Sequence, residues 1–201
     1  MYLLWLPLST TGLPVPSLQP DKYNRAMTLA GKRVAVLVED GFEDSELSGP
    51  VSGLTEAGVA VTLVGPHSPR QYTGKRGLVV TSDAAAGAVR SGDFDALVIP
   101  GGYAPDRMRM RPGMVDLTRA MAADGKAVAA ICHGPQLMIS AGVLRGRTVT
   151  CWASIAIDVT NAGGLYVDRP VVRDANLITS RRPDDVPQFT AALISALEAQ
   201  A

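Results

Sequence analysis

The sequence has few of the residues that mark disulfide-rich, metal-binding or membrane proteins. Its two cysteines, Cys132 and Cys151, are too few for a disulfide framework, and no C-x-x-C or Cys/His zinc spacing occurs. Lys plus Arg equals Asp plus Glu at 19 each, so the charge predicts neither a nucleic-acid partner nor a membrane surface. No apolar run approaches the roughly 18 residues that span a bilayer. These absences favour a cytoplasmic globular protein, and we predict no metal and no cofactor.

Short apolar runs alternate with amphipathic stretches along the 201 residues, which suits a single α/β domain. Strands or extended segments are predicted at 32–39, 59–64, 74–82, 95–99, 128–132 and 148–152, with two more within 166–180. Helices are predicted at 45–58, 112–123, 135–141, 155–162 and 184–198. This alternation predicts a parallel sheet covered by helices on both faces, with ligands bound at the carboxyl ends of the strands.

Residues 1–26 differ from the rest of the chain because they are apolar and rich in proline. They lack the basic start of a signal peptide, and Pro7 interrupts a very short apolar core. We therefore favour an N-terminal extension that packs on the surface or on a partner subunit. The α/β domain is predicted to cover 27–201.

The segment VAAICHGPQ, residues 128–136, is the most informative part of the chain. An apolar run ends at Cys132, and an amphipathic stretch opens behind Pro135, which predicts a strand, a tight turn and a helix. A thiol at such a turn lies beside a helix N-terminus, where the dipole favours an anion and lowers a thiol pKa. Cys132 is therefore a candidate nucleophile. Cys151, in a predicted strand beside Trp152, is expected to be an inert buried thiol.

An acidic turn, Gly41-Phe42-Glu43-Asp44, follows the first predicted strand. If the two strands are neighbours, Glu43 is placed to hydrogen-bond the Cys132 thiolate or an oxidised sulfur. The alternative is that Glu43 or Asp44 caps the helix that begins at Ser45. Spacing alone favours the capping alternative, because acidic residues are common at helix starts.

Two further features could serve a reactive cysteine. The backbone N–H groups of Gly101 and Gly102, at the end of a strand, could form an oxyanion hole with the N–H of His133. The alternative is an ordinary tight turn. His133 could also pair with the thiol as a base, or serve only the geometry of the turn. The second histidine, His67, is expected to be a solvated loop residue.

Five segments together resemble the PfpI/ThiJ family, the intracellular protease I group of the class I glutamine amidotransferase-like superfamily. They are VEDGFEDSEL, FDALVIPGGYAPDRMR, GKAVAAICHGPQLMISAGVLRGR, NAGG and ITSRRPDD, and the match spans residues 31–197. The resemblance implies a flavodoxin-like three-layer sandwich with a mostly parallel central sheet and a cysteine nucleophile elbow. It assigns Cys132 as the reactive thiol, Glu43 as its carboxyl partner and His133 as the neighbouring imidazole.

The resemblance also implies a homodimer or a higher homo-oligomer. Protease-like members are similar in assembling a Cys–His–acid triad across a subunit interface, with the acid on the segment after PGG. The matching residue here is Asp106, where those members carry the longer Glu, so we expect at most modest peptidase action. Tyr103 also replaces a residue that is often basic.

The expected function is that of a PfpI-type cysteine-dependent hydrolase in stress protection. Peptidase, glyoxalase and deglycase activities are all compatible with the resemblance, each acting through Cys132 on a peptide or a small carbonyl compound. The alternative is an oxidative-stress protein whose Cys132 is a redox sensor with little turnover. No sequence feature separates the two.

Overall fold

The computed structural model describes residues 29–200, so the predicted extension 1–26 lies outside the described range. Within that range the strands are β1 (Arg33–Leu37), β2 (Ala60–Gly65), β3 (Gln71–Thr73), β4 (Val79–Thr81), β5 (Ala84–Ala85), β6 (Ala96–Ile99), β7 (Ala127–Ile131), β8 (Thr148–Val149), β9 (Leu165–Tyr166), β10 (Val171–Asp174) and β11 (Leu177–Ser180). The α-helices are α1 (Asp44–Glu56), α2 (Ala104–Met108), α3 (Pro112–Ala123), α4 (Pro135–Ala141), α5 (Ala156–Asn161) and α6 (Val186–Glu198).

A seven-stranded sheet forms the middle layer, in the order β10-β11-β7-β6-β1-β2-β5. Every neighbouring pair is parallel except β10 with β11. The central strands β6 and β7 consist wholly of buried residues, as expected for strands covered on both faces. The predicted α/β sandwich with a mostly parallel sheet is confirmed.

Helices cover the sheet in two groups. α1 packs against α6, and α3 packs against α4. The chain moves from β1 to β2 in one direction along the sheet and from β6 to β7 in the other. Right-handed crossovers therefore place α1 and α3 on opposite faces. The strand order reverses at β1 and β6, and the crevice at such a reversal is where open α/β sheets bind ligands.

The structure differs from the predicted elements in several places. The strand predicted at 148–152 ends at Val149, because the next amide, of Thr150, bonds the side-chain Oγ1 of Thr179 instead of a strand backbone. Cys151 therefore lies outside a strand, although it is buried. The five-residue helix α2 was not predicted, since the Pro-Gly-Gly before it indicates a turn. The strand β3, which pairs with β4, was also missed.

No helix between residues 29 and 200 is long and apolar enough to cross a membrane.

Candidate active site

Cys132 occupies a sharp turn between β7 and α4. Its φ of 61° is in the left-handed region that side chains other than glycine rarely adopt. The turn is closed by the N–H of Gly134, which donates to the carbonyl of Ile131 at 2.8 Å. A Cβ on Gly134 would lie 2.5 Å from the carbonyl oxygen of Ile99, so the turn needs glycine there. The predicted elbow is present, and it leaves Cys132 only 8% exposed.

The carboxyl beside the Cys132 thiol belongs to Glu46, and not to Glu43 as the sequence predicted. Glu46 is fully buried, and its Oε2 accepts the N–H of Gly101 at 2.9 Å. Its other oxygen, Oε1, has no hydrogen-bond partner among residues 29–200. The Cys132 thiol is the side chain next to this carboxyl, and its interaction with the carboxyl partly offsets the rise of the Glu46 pKa. The first turn of α1 therefore supplies the acid, one helical turn beyond the predicted position.

Glu43 is held by two cations instead of by the thiol. Its Oε1 accepts from Arg76 Nε at 2.9 Å, and Lys75 Nζ lies 3.5 Å from its Oε2. Glu43 is the residue that precedes α1, but its side chain makes no capping hydrogen bond. The capping alternative is therefore wrong as well. The neighbouring Asp44 accepts the N–H groups of Arg76 and Leu78, which fastens the β3–β4 turn to the start of α1.

Burial governs the protonation of the thiol and the carboxyl. Desolvation raises the pKa of Glu46 from 4.5 to about 7. Burial, followed by the negative charge of Glu46, also raises the pKa of the Cys132 thiol, and hydrogen bonds from backbone N–H groups offset this only in part. The expectation that the helix N-terminus lowers the Cys132 pKa is therefore wrong. Two such groups in contact share a proton more readily than they both ionise.

The Pro100-Gly101-Gly102 turn lies between the thiol and the carboxyl. A Cβ on Gly101 would lie 2.6 Å from Glu46 Oε2 and 2.7 Å from Cys132 Cβ, so the contact requires glycine. The backbone N–H groups of Gly102 and His133 face the sulfur and favour its thiolate, which partly offsets the rise of the Cys132 pKa. The N–H of Gly101 donates to Glu46, so the prediction that it belongs to the oxyanion hole is wrong. The other two predicted donors, the N–H groups of Gly102 and His133, face the sulfur.

The imidazole of His133 lies beside the thiol. Its Nδ1 is 3.3 Å from Cys132 Sγ, and its Nε2 is 3.4 Å from Ser154 Oγ. Trp152 stacks on the ring with a centroid separation of 6.3 Å and an angle of 28°. Burial, with a smaller contribution from the charge of Lys75, lowers the pKa of His133 and favours the neutral ring. Neither Ser154 nor Trp152 was predicted to lie at this site.

The other predicted site residues lie at the surface. Asp106 is exposed on α2, and its carboxylate makes no hydrogen bond or ion pair within the described part of the chain. The helix itself is anchored, because Arg107 Nη1 donates to the carbonyl of Asp40 at 2.9 Å. Tyr103 is 63% exposed. His67 is an exposed loop residue, as predicted.

No group of three or more His, Cys, Asp or Glu side chains that could hold a metal ion occurs between residues 29 and 200. The candidate site therefore consists of a thiol, a protonatable carboxyl, an imidazole and two backbone N–H groups.

The fold and the site together define a flavodoxin-like α/β protein with a cysteine on an elbow at the carboxyl edge of its sheet. The chain belongs to the DJ-1/PfpI family, whose pattern matches residues 32–196. This confirms the resemblance drawn from the sequence.

Two bacterial relatives align with this chain over nearly their whole length. General stress protein 18 of Bacillus subtilis is 45% identical over 170 residues, which cover 84% of this chain and 99% of the relative. Protein/nucleic acid deglycase 2 of Escherichia coli is 44% identical over 170 residues, with 84% and 99% covered.

Among solved structures, a protein from Anabaena variabilis with DJ-1/ThiJ/PfpI-like and ferritin-like domains is 44% identical, with a TM-score of 0.82. The match covers 83% of this chain and 48% of that protein, so the chain spans about half of the two-domain molecule.

Proposed function

We propose that this protein is a cysteine-dependent hydrolase or deglycase of stress protection that uses Cys132 as its nucleophile. The main support for the proposal is the set of groups that surround the Cys132 sulfur. The sulfur meets the Glu46 carboxyl, the His133 imidazole and the N–H groups of Gly102 and His133. A nucleophile with a base and oxyanion donors in reach is the arrangement that acyl transfer needs. The stress-protein and deglycase names of the relatives support the same class.

In the proposed reaction, the thiol gives its proton to Nδ1 of His133 or to the Glu46 carboxylate, and the sulfur attacks a carbonyl carbon. The oxyanion that forms lies next to the sulfur, within reach of the Gly102 and His133 N–H groups. With an amide substrate, protonated His133 returns the proton to the leaving amine, and water then hydrolyses the thioester. With methylglyoxal the attack gives a hemithioacetal, and transfer of its C1 proton to C2 through an enediol gives a thioester that water hydrolyses to lactate. The carboxyl of Glu46, with a pKa near 7, can donate or accept a proton at neutral pH.

Small carbonyl compounds and their adducts with amines are the proposed substrates, and short peptides are a further class. We also propose a homodimer or a higher homo-oligomer in the cytoplasm. The segment after Gly102 supports self-association, since Tyr103 is 63% exposed, Met110 is 77% exposed and Asp106 is unpaired within the subunit.

The test is a steady-state assay of methylglyoxal, a methylglyoxal-modified amine and a fluorogenic peptide. A glycated nucleotide is added because the E. coli relative is named for nucleic acids as well as proteins. Cys132→Ser should abolish turnover, and Glu46→Gln should lower it, since an amide cannot exchange the proton. Cys151→Ser, at the other buried thiol, is the matched control and should retain activity. Full turnover by Cys132→Ser would refute the proposal.

A redox sensor is the second candidate, and the Glu46 contact is the observation that favours it. A protonated carboxyl against the sulfur can donate to an oxygen of an oxidised cysteine, which stabilises the sulfinate. Mild peroxide should then stop at Cys132 sulfinate in the wild type and continue to sulfonate in Glu46→Leu, which lacks the donor. Glu43→Gln is the control. Identical products in all three proteins would contradict this candidate.

A further inference from the structure

The imidazole of His133 connects the thiol to a hydroxyl of the same subunit. One ring nitrogen, Nδ1, is 3.3 Å from Cys132 Sγ, and the other, Nε2, is 3.4 Å from Ser154 Oγ. A base that takes a proton from the thiol must present an unprotonated Nδ1 to the sulfur. In the neutral ring the proton is then on Nε2, where it needs an acceptor. Ser154 Oγ is the acceptor that this subunit provides at that position.

The segment that carries Ser154 is fastened to the elbow. The N–H of Trp152 donates to the carbonyl of Cys132 at 2.9 Å, and the N–H of Ile155 donates to the carbonyl of Trp152 at 3.0 Å. Ile155, the residue after Ser154, is buried, and Trp152, two residues before Ser154, stacks its ring on the imidazole. Although Ser154 is itself exposed, its backbone is therefore fixed relative to the histidine.

We propose that Ser154 is a positioning residue for His133: its hydroxyl accepts Nε2–H and so holds an unprotonated Nδ1 against the Cys132 thiol. The inference rests on the proposed function, in which His133 acts as the base. The family resemblance implies that Asp106 of the partner subunit contacts His133. The proposal gives that role to Ser154 of the same subunit. Because Nδ1 of the ring contacts the sulfur, an acid from a partner subunit would have to bind Nε2, which Ser154 already contacts.

A hydroxyl and a carboxylate at Nε2 have different consequences for the charge of the ring. A carboxylate stabilises the imidazolium by its charge, whereas a hydroxyl accepts the hydrogen bond without adding charge. The groups that act on the ring are the Cys132 thiol, the hydroxyl of Ser154 and the cation of Lys75, which disfavours the imidazolium. A hydroxyl partner therefore suits a histidine that stays neutral and available as a base.

The chain has only two histidines, which makes the ring of His133 directly observable. The test uses the full chain labelled with ¹⁵N-histidine, and two-bond ¹H–¹⁵N spectra are recorded as a function of pH. Wild type should show His133 mainly as the Nε2–H tautomer. Ser154→Ala should give a mixture of tautomers with a changed midpoint, and Ser154→Thr, which keeps the hydroxyl, should restore the wild-type pattern. The His67 signals report whether each variant is folded.

Thr160→Ala is the matched control, because it removes another exposed hydroxyl from the neighbouring helix α5 without touching the ring. Loss of one neutral hydrogen bond in Ser154→Ala should lower kcat about fivefold, with KM unchanged. An unchanged His133 tautomer and midpoint in Ser154→Ala would overturn the inference. Absence of Cys132-dependent turnover in the wild type would instead refute the proposed function, and the tautomer result would still decide the role of Ser154.

Discussion

The carboxyl of Glu46 and the thiol of Cys132 lie next to each other at Gly101, and each shifts the pKa of the other. They come from different elements, the first turn of α1 and the end of β7, and β6 lies between β1 and β7 in the sheet. The glycine turn after β6 is what allows them to meet, since Gly101 has no side chain and its N–H binds Glu46. Most of the chemistry expected of the site depends on this buried pair.

The charge of Glu46 should restrain the reactivity of Cys132 toward alkylating agents. Cys132 is 8% exposed at the sheet edge and Cys151 is 1% exposed, so limited iodoacetamide should label Cys132 first. Burial raises the Cys151 pKa to about 12, which also disfavours its reaction. Glu46→Gln removes a charge that raises the Cys132 pKa and should speed labelling at pH 8 severalfold.

Peptide mass mapping over time measures both rates, with Glu43→Gln as the control. Labelling of Cys151 before Cys132 would contradict the assignment of the reactive thiol.

Glu46 should also make the stability of the protein depend on pH. The native state holds the Glu46 proton more tightly than the unfolded chain, because burial raises its pKa from 4.5 to about 7. The stability contributed by the protonated pair is therefore complete below about pH 4.5 and is lost as the pH rises through 7. The difference corresponds to about 3 kcal/mol at most. Glu46→Gln, which keeps an acceptor for Gly101, should flatten this dependence.

Urea unfolding at pH 5 and pH 8 measures the effect, and Glu56→Gln, an exposed acid near the end of the same helix, is the control. If wild type and Glu46→Gln lose the same free energy of unfolding between the two pH values, Glu46 does not titrate in this range.

Gly101 should be intolerant of even one added carbon. In Gly101→Ala the new Cβ would lie within 3 Å of Glu46 Oε2, Cys132 Cβ and the His133 nitrogen. Two of these three atoms belong to the elbow, so relief requires movement of the nucleophile. We expect a loss of about 1–3 kcal/mol in unfolding free energy and impaired Cys132 labelling. In Gly87→Ala the added carbon meets nothing within 4 Å, and its stability and labelling should match wild type.

The sequence was sufficient for the architecture and for the elbow, but not for the side chains around the sulfur. The periodicity of the apolar residues predicts the order of strands and helices, and the apolar run that stops at Cys132 predicts the turn. The position of Glu46 depends on the orientation of α1 about its own axis relative to the sheet. A turn motif in the sequence does not specify that orientation. A signal was present, since Glu46 adjoins Leu47 on the side of the helix that buries Pro50 and Leu54. An acid on an apolar helix face indicates a buried partner.

Ser154 had no comparable signal. It is a small polar residue in a short turn, of a kind found on any surface, and its contact with His133 arises from the backbone bond between Trp152 and Cys132. Such long-range placement is fixed by tertiary packing.

The oligomeric state should be at least dimeric. Tyr103 and Met110 expose large apolar side chains on either side of α2, a composition typical of an interface core. Light scattering at micromolar concentration should give at least twice the chain mass of 21.1 kDa. Met110→Glu, which places a charge in the proposed contact, should shift the equilibrium toward monomer. A monomeric mass for the wild type would rule the dimer out.

Asp106 should contribute less to turnover than an acid does in a complete Cys–His–acid triad. Its carboxylate is unpaired within the subunit, and Asp is shorter than Glu by about 1.5 Å, one carbon–carbon bond. A contact with Nε2 of His133 needs about 3 Å or one bridging water, and Ser154 already lies 3.4 Å from that nitrogen. Asp106→Asn should therefore change carbonyl turnover less than twofold, an effect below that of one neutral hydrogen bond. Asp106→Glu should raise peptidase turnover, because the longer side chain can reach across an interface. Asp116→Asn, at another exposed acid, controls for net charge. Loss of both activities in Asp106→Asn would show that the aspartate already completes a triad, and the peptidase interpretation would then be preferred over the carbonyl one.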